Sequence, residues 1–530
     1  MPSRISVTGT IASPGYGAGP LFVIDAAAGR YAPSGDPVAE RQRLADAIAT
    51  ALAEIVALGA ALSGDASEMV EFQMMMLDDD SLSEAAFAAI DDGTDAASAW
   101  GAALGEQVAG YDAADDDYFR ARSADLVDIR DRVLRALLGV VDTVAPPGSV
   151  LFGREITPSQ FLATNWSAGG AILLREGSPA SHVAMLARSR GIPMLVGIGA
   201  LEPEPGEAVL VDAEAGRAEF GPDPEARHQF DAASFSHAET LAAAEELLGR
   251  PAATADGVPV TLYVNIADPG EVDRLDIAHC DGVGLMRTEF LYTDGLPDED
   301  AQYEAYRKVL AWAGDKPVTI RTVDAGGDKP VPGFTPTETN PFLGLRGIRL
   351  CLARPEIFRT QIRALLRAGT AGNLKIMFPM ISIAAEFAAA RDLFAEEAAS
   401  LGLPVPPLGI MVEVPAAAID PGAFSEAAFF SIGSNDLTQY VMAAARDNGS
   451  VAALNDPLHP AILALVRIVA GHGAAHDIPV SLCGDAGGEP RAIPHLLQAG
   501  LRQLSVAPSQ LARARAAIAT TSLTPSGAQR

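Results

Sequence analysis

Cysteine is scarce in this chain. The 530 residues contain three, Cys280, Cys351 and Cys483, too far apart to form a metal-ligand spacing. That excludes a disulfide-stapled scaffold and fits a reducing cytoplasmic setting. Basic residues are also few, 38 Lys and Arg against 68 Asp and Glu, for a formal net charge of −30. Nucleic acid is therefore not an expected partner, whereas a basic protein partner, or plain solubility, fits. No apolar run approaches the length needed to cross a bilayer, so no membrane insertion is expected, and no signal peptide precedes Ile5. No Gly-rich phosphate loop ending in Lys occurs either, which argues against a nucleotide reaction.

What is present is an ordinary globular composition, 49% hydrophobic and 20% charged, in a chain long enough for two or more domains. Residues 1–22 read as two short strands around the Pro14-Gly15 turn. From about Pro37 to Val141 the pattern is helical, with stripes at Leu44, Ile48, Leu52, Ile55 and Val56 and at Leu126, Ile129, Val133 and Leu137. Four or five packed helices are expected. Short β-type runs return between about 148 and 225, so the opening strands are expected to rejoin this later α/β unit across an inserted helical bundle. Residues 225–250 read as a connecting helix.

Within that α/β unit lies Gly177-Ser178-Pro179-Ala180-Ser181-His182, closed by Gly191-Ile192-Pro193. Ser178 suits an N-cap, Pro179 the first helical position, and Gly191 the stop, which puts His182 one turn into a short helix. Free N–H groups at a helix start favour an anion, so a phosphate on this imidazole would be well placed. On local features alone, a histidine that merely packs near a helix start is the commoner case.

From Pro259 onward, apolar β-branched runs alternate with helical patterns, starting near Val260, Gly282, Val318, Leu374, Leu408, Ala428, Ile478 and Gln503. Eight strands with helical crossovers match a (β/α)₈ barrel. Asn265, Arg287, Arg321, Asp324, Glu413, Asn435, Asp436 and Cys483 lie at or just past the strand ends, the rim where such barrels keep their active sites. Arg287, Arg321 and Arg446 are forks suited to phosphate and carboxylate. Glu413 and Asp436 are hard oxygen ligands of the kind Mg²⁺ takes. A buried structural role is the usual one for a cysteine such as Cys483, yet on this rim its thiol is also placed to give or take a proton. Together these groups suit a small phosphorylated acid whose enolate must be stabilised.

The chain resembles enzyme I of the bacterial sugar phosphotransferase system. The likeness runs through Ala12-Ser13-Pro14-Gly15, the His182 segment, Gly284-Leu285-Met286-Arg287-Thr288-Glu289-Phe290 and Ile320-Arg321-Thr322-Val323-Asp324, then Asn340-Pro341-Phe342-Leu343-Gly344, Phe430-Ser431-Ile432-Gly433-Ser434-Asn435-Asp436 and Cys483-Gly484. The resemblance implies a swivelling phosphohistidine α/β domain (1–22 and 145–225), a helical domain docking the carrier protein HPr (23–144), a linker helix (226–250) and a C-terminal (β/α)₈ barrel (251–530) that binds phosphoenolpyruvate and pairs into a homodimer. It also implies roles. His182 accepts the phosphoryl group and Cys483 protonates the enolate. Arg287, Arg321, Asn435, Arg446, Asp436 and Lys329 hold phosphoenolpyruvate, and Glu413 with Asp436 binds Mg²⁺. Acidic residues Glu68, Glu71, Asp78, Asp79 and Asp80, around an exposed Met74-Met75-Met76, are candidates for the carrier face; a solvated helix end is the alternative. The sequence departs from the family pattern at Ala180 and Val183 beside His182, and at Asp485, where Glu is usual. A barrel lyase with an unrelated domain attached, and a catalytically inactive regulator, are the other classes. The first has no use for a phosphohistidine and the second none for an intact Arg/Glu/Asp/Cys set.

Overall fold

The computed structural model describes residues 5–24, 31–59, 73–74, 76–77, 80–112, 117–139, 145–177, 181–292, 295–327, 329–445, 451 and 454–524. The chain divides into two compact units, Met1–Ser236 and His237–Arg530.

The first unit opens on β1 (Ile5–Thr8), β2 (Thr10–Ser13) and β3 (Tyr16–Ile24). These are three strands where two were expected, because the backbone breaks at Gly9 as well as at Pro14-Gly15. Gly9 donates its N–H to Gly216, and a Cβ there would lie 2.7 Å from Ile198, too close for any side chain. Helices α1 (Pro37–Gly59), α2 (Asp80–Asp91), α3 (Ala96–Asp112) and α4 (Asp117–Leu138) follow. The chain then resumes as β4 (Val150–Gly153), α5 (Pro158–Ala163), β5 (Ala171–Leu174), α6 (His182–Arg190), β6 (Met194–Val196), β7 (Ala208–Asp212) and β8 (Arg217–Phe220). All eight strands form one sheet ordered β1-β8-β7-β3-β4-β5-β6-β2. β3 pairs in parallel with β4, Leu21 opposite Val150, across the whole helical insertion. β1 and β2 are joined only by Gly9 yet occupy opposite ends of that order, so the sheet curls until its edges meet.

The helices pack on their own core of Leu44, Ile55, Ile90, Trp100, Leu104, Leu126, Ile129 and Val133. Most of the expected stripes are in it; Val56 is instead exposed. Met74 and Met76 also pack against this core, partly buried, which corrects the expectation of an exposed methionine cluster. Their neighbour Gln73 is buried and donates to Asp128. Met75, Glu68, Glu71, Asp78 and Asp79 lie outside the described residues.

Helix α7 (Pro224–Glu245) carries the boundary between the units. In the second unit β9 (Thr261–Ile266), β10 (Val283–Met286), β11 (Pro317–Arg321), β12 (Asn373–Phe378), β13 (Leu408–Val412), β14 (Phe430–Ile432), β15 (Val480–Leu482) and β16 (Gln503–Val506) close a parallel barrel. Helices α8 (Glu299–Ala313), α9 (Ile348–Ala353), α10 (Pro355–Ala368), α11 (Ala384–Leu401), α12 (Pro415–Ile419), α13 (Ser434–Met442), α14 (Pro460–His476), α15 (Ile493–Gln498) and α16 (Leu511–Thr520) alternate with them. Successive strand residues point to opposite faces. Ile376, Phe378, Ile410, Val412 and Leu482 accordingly join the large core between strands and helices. Met377, Met411 and Cys483, each the next residue along, form a separate inner cluster with Leu285 and Phe429.

Candidate active site

In the first unit the site is a helix start. The N-cap of α6 is Ser181, whose Oγ accepts the N–H of Ala184 at 3.3 Å, and Gly191 closes the helix in the left-handed conformation at φ 66°. This corrects the expected cap at Ser178. His182 is the first helical residue rather than one turn in, because Ser181 satisfies the orphan donor at the third position. Ser178, Pro179 and Ala180 lie outside the described residues. Val183, Ala184 and Ala187 are buried against Ile172, Leu174, Met194 and Val196. Val183 therefore faces the core, where its departure from the family's small polar residue is an apolar packing choice.

In the barrel, the sequence places polar groups just past the strand ends, and the structure joins several of them into one network. Arg321, at the end of β11, donates through Nη2 to Glu289 Oε1 at 2.9 Å, and its Nη1 lies 3.2 Å from Asp324 Oδ2. Asp324 is fully buried and receives a two-pronged contact from Arg346, Nε to Oδ1 and Nη2 to Oδ2, each 3.0 Å. Arg346 reaches on through Nη1 to Asp436 Oδ1 at 3.0 Å and the Tyr440 hydroxyl at 3.1 Å. Tyr440 in turn donates to the Phe342 carbonyl at 2.7 Å. Lys329 stands 3.9 Å from both Glu289 and Asp324.

The electrostatics follow from burial and pairing. Burial would raise the pKa of Glu289, but Arg321 and Lys329 bring it below the usual carboxylate value. Asp324 goes the same way, because Arg346 and Arg321 outweigh its burial. Burial would lower the pKa of Arg321, but Glu289 and Asp324 raise it. These ions are mutually compensated. Glu413 is not: burial, then the nearby Asp436 and Asp324, push its pKa up to about 8. Its Oε1 accepts the N–H of Met380 at 2.6 Å, from a residue held at φ 58°. A non-glycine backbone in that region stores strain, here spent on aiming an amide at a carboxylate. A hard divalent cation would relieve the burial and like charge on Glu413 beside Asp436, although among the described residues no three such side chains form a metal cluster.

Cys483 is buried, its Sγ 3.7 Å from the Ile432 carbonyl, and burial pushes the thiol pKa up to about 11, so it stays protonated at neutral pH. Gly484 follows because a Cβ there would lie 1.9 Å from Ser434 Oγ. Asn435 is clasped by Asp485, Nδ2 to Oδ2 at 3.0 Å and Asp485 N–H to Oδ1 at 3.1 Å. Asn265 is committed to the Cys483 and Ser505 carbonyls and the Ser505 hydroxyl. Among the described residues Arg287 makes no side-chain hydrogen bond or ion pair, which leaves a half-buried guanidinium open to a ligand. Arg446 lies outside the described residues.

Sequence reasoning missed Arg346, Glu289 and Tyr440 as functional residues. The available signal was an arginine inside the apolar run Phe342-Leu343-Gly344-Leu345-Arg346-Gly347-Ile348, which must either reach solvent or find buried carboxylates.

Residues 242–523 match the PEP-binding domain of PEP-utilising enzymes, residues 8–122 their N-terminal domain and residues 145–216 their mobile domain. A phosphoenolpyruvate-protein phosphotransferase of Geobacillus stearothermophilus is 41% identical over 423 residues, 77% of this chain and 73% of the relative. One from Listeria innocua is 40% identical over 425 residues, covering 77% and 74%. One from Staphylococcus epidermidis is 35% identical over 501 residues, covering 91% and 87%.

Proposed function

The chain belongs to the phosphoenolpyruvate-protein phosphotransferases, and from that membership we propose that its barrel rim binds phosphoenolpyruvate, that His182 takes the phosphoryl group, and that a histidine of the carrier HPr receives it next. The observation that carries this reading is the rim network, a chain of buried carboxylates and guanidiniums that fixes Arg321 and leaves Arg287, among the described residues, without a side-chain hydrogen bond or ion pair. Phosphoryl transfer depends on positioning and charge stabilisation more than on covalent help from the protein, and two oriented arginines with Lys329 provide both.

In the proposed reaction the P–O bond to the enol oxygen breaks as a His182 ring nitrogen bonds to phosphorus, leaving the enolate of pyruvate. Arg287, Arg321, Lys329 and Asn435 hold phosphate and carboxylate, with Arg446 assigned to the same task from sequence. Cys483 then gives its thiol proton to the terminal carbon of the enolate, which yields pyruvate. A thiol protonated at neutral pH suits that step. Glu413 and Asp436 would hold Mg²⁺, which supplies charge to the phosphate and enolate oxygens when bound.

Residues 1–22 with 145–225 would form the swivelling phosphohistidine domain, 23–144 the helical carrier-docking domain, 226–250 the linker and 251–530 the barrel. The His182 imidazole must come within about 3–3.5 Å of the phosphorus of phosphoenolpyruvate, and its phosphorus then equally close to the carrier's histidine, so the His182 domain must move between barrel and carrier. The excess of acidic residues suits a basic carrier face. We place the enzyme in the cytoplasm; among the described residues no helix is long and apolar enough to cross a membrane. Homodimerisation through the barrel is supported by Leu343, Ile383 and Ile419, each more than half exposed in segments that follow β11, β12 and β13.

The test is incubation with ³²P-phosphoenolpyruvate and Mg²⁺, with and without HPr. Acid-labile, base-stable label on the chain, discharged by HPr, is the expected result. A chain that releases pyruvate and inorganic phosphate without ever carrying label would be a phosphatase and not a phosphotransferase.

A further inference from the structure

Once Cys483 has given up its proton, the buried thiolate must recover one before the next cycle. The apolar side chains packed around it, Leu285, Met377, Met411 and Phe429, supply no proton. Arg287, Arg321 and Glu413 also face the thiol, but they are the groups assigned to substrate and Mg²⁺; a second route leads downward through the barrel. Ser481 sits two residues before Cys483 on the same inner face, and Ser431 of β14 is its register partner. Ser431 is fully buried, and its hydroxyl is near enough to the Cys483 thiol to favour the thiolate against the effect of burial. The Ser481 hydroxyl donates to Ser431 Oγ at 3.0 Å. The two hydroxyls form a short chain below the sulfur, with the Phe430 carbonyl 3.5 Å from the Ser481 oxygen as a second acceptor.

Ser481 also lines a small cavity at the other end of the barrel, where Pro317, Pro479 and Gln503 mark the strand starts. The cavity has room for about one water molecule, about 10 Å³. Lys375 shares it, its Nζ 5.6 Å from the centre of the Phe429 ring and, among the described residues, without an ion-pair partner. Burial lowers the pKa of that amine, which eases release of a proton there. The serine pair gives a hydroxyl path between the buried thiol and the polar cavity at the barrel floor.

We propose that Ser431 and Ser481 form a proton relay that re-protonates Cys483 from the barrel floor, a proposal that rests on Cys483 being the proton donor. In the step, Ser431 passes its hydroxyl proton to the thiolate, Ser481 passes its own to Ser431, and water or the Lys375 ammonium at the floor replaces it. Bulk solvent makes up the one proton, and no bond other than O–H, N–H and S–H changes. The rim, covered by substrate and by the phosphoryl acceptor, never has to open for the proton to enter.

The relay separates the first turnover from later ones, because the thiol starts protonated. In Ser481→Ala and Ser431→Ala, rapid-quench labelling with ³²P-phosphoenolpyruvate should give a full burst. Steady-state pyruvate release with HPr should fall about tenfold or more in kcat, with kcat/KM for phosphoenolpyruvate unchanged. Ser481→Thr, which restores the hydroxyl, should recover the wild-type rate. Burst amplitude counts folded sites, so a misfolded fraction lowers burst and steady state together and is corrected for. Steady-state rates in both alanine variants equal to wild type, with Cys483→Ala inactive, would overturn the relay and leave the proton-donor role standing. A Cys483→Ala variant with normal turnover would remove the proton-donor role, and the relay with it.

Discussion

Arg346 grips Asp324 with two parallel hydrogen bonds of 3.0 Å, and neither side chain has any solvent exposure. The same guanidinium also holds Asp436. One cation thus grips two buried acids beside a third, Glu413, and the rim's geometry depends on it.

Arg346→Met should therefore be among the most damaging rim substitutions. Removing one partner of a buried pair costs about 3–5 kcal/mol, since the remaining charges stay uncompensated. Calorimetry of the full chain should show a lower unfolding temperature for the barrel, and phosphoenolpyruvate binding should be lost. A stability loss under about 1 kcal/mol would mean that the acids protonate at little cost.

At the other end of the reaction, His182→Ala should carry no label from phosphoenolpyruvate, while Val183→Ser should label normally but be less stable. Val183 is buried in an apolar cluster with Met194 and Val196. A hydroxyl there without a partner costs about 1–3 kcal/mol. Thermal unfolding and quench labelling on the same preparations separate the two effects. Label retained on the alanine variant would remove His182 from the mechanism.

Asn435 and Asp485 fix one another. Asp485→Ala should free the amide to turn and raise KM for phosphoenolpyruvate with little change in kcat, because positioning is lost and chemistry is not. Asp485→Glu, the usual family residue, should keep KM near wild type. Initial-rate kinetics on the two variants decide the matter; equal KM in all three proteins would show that Asn435 needs no clasp.

Glu40 predicts an acid limit for the helical insertion. It accepts from the Tyr31 hydroxyl, the Ser34 N–H and the Ala96 N–H that opens α3. Burial would raise its pKa, but those hydrogen bonds bring it from 4.5 down to about 2. A pKa depressed on folding contributes stability above the unfolded value, and that stability is lost as pH falls toward the folded one. The advantage of wild type over Glu40→Gln in thermal unfolding should hold at pH 6 and vanish as the pH falls from 4.5 toward 2. A pH-independent difference would show that the carboxylate charge is not involved.

The barrel was legible because its strands are short β-branched runs bounded by helical patterns, and all eight expected runs overlap a strand of the closed barrel. Local pattern suffices for that. Arg346 was not legible as a site residue. It lies in a loop after β11, and only Asp324 and Asp436, brought close by barrel closure, explain how an arginine can be buried there. The cap of α6 slipped by three residues for a local reason. Ser178 and Ser181 are equally good caps in sequence, and only the donor that Ser181 captures distinguishes them. The extra opening strand turns on Gly9, whose need for close approach depends on Ile198 and Gly216 far along the chain.

The first sheet also constrains the order in which a ribosome can deliver this molecule in working form. β1 needs β8, with Ile5 opposite Phe220, and β3 needs β4 beyond the insertion. Helices α1 to α4 depend on one another and can fold as they emerge, since their contacts are close in sequence. The nine-residue β3 must meanwhile wait for β4 on one edge and for β7 on the other, which is complete only past residue 212. Slow translation between the insertion and β7 should thus favour aggregation of nascent chains.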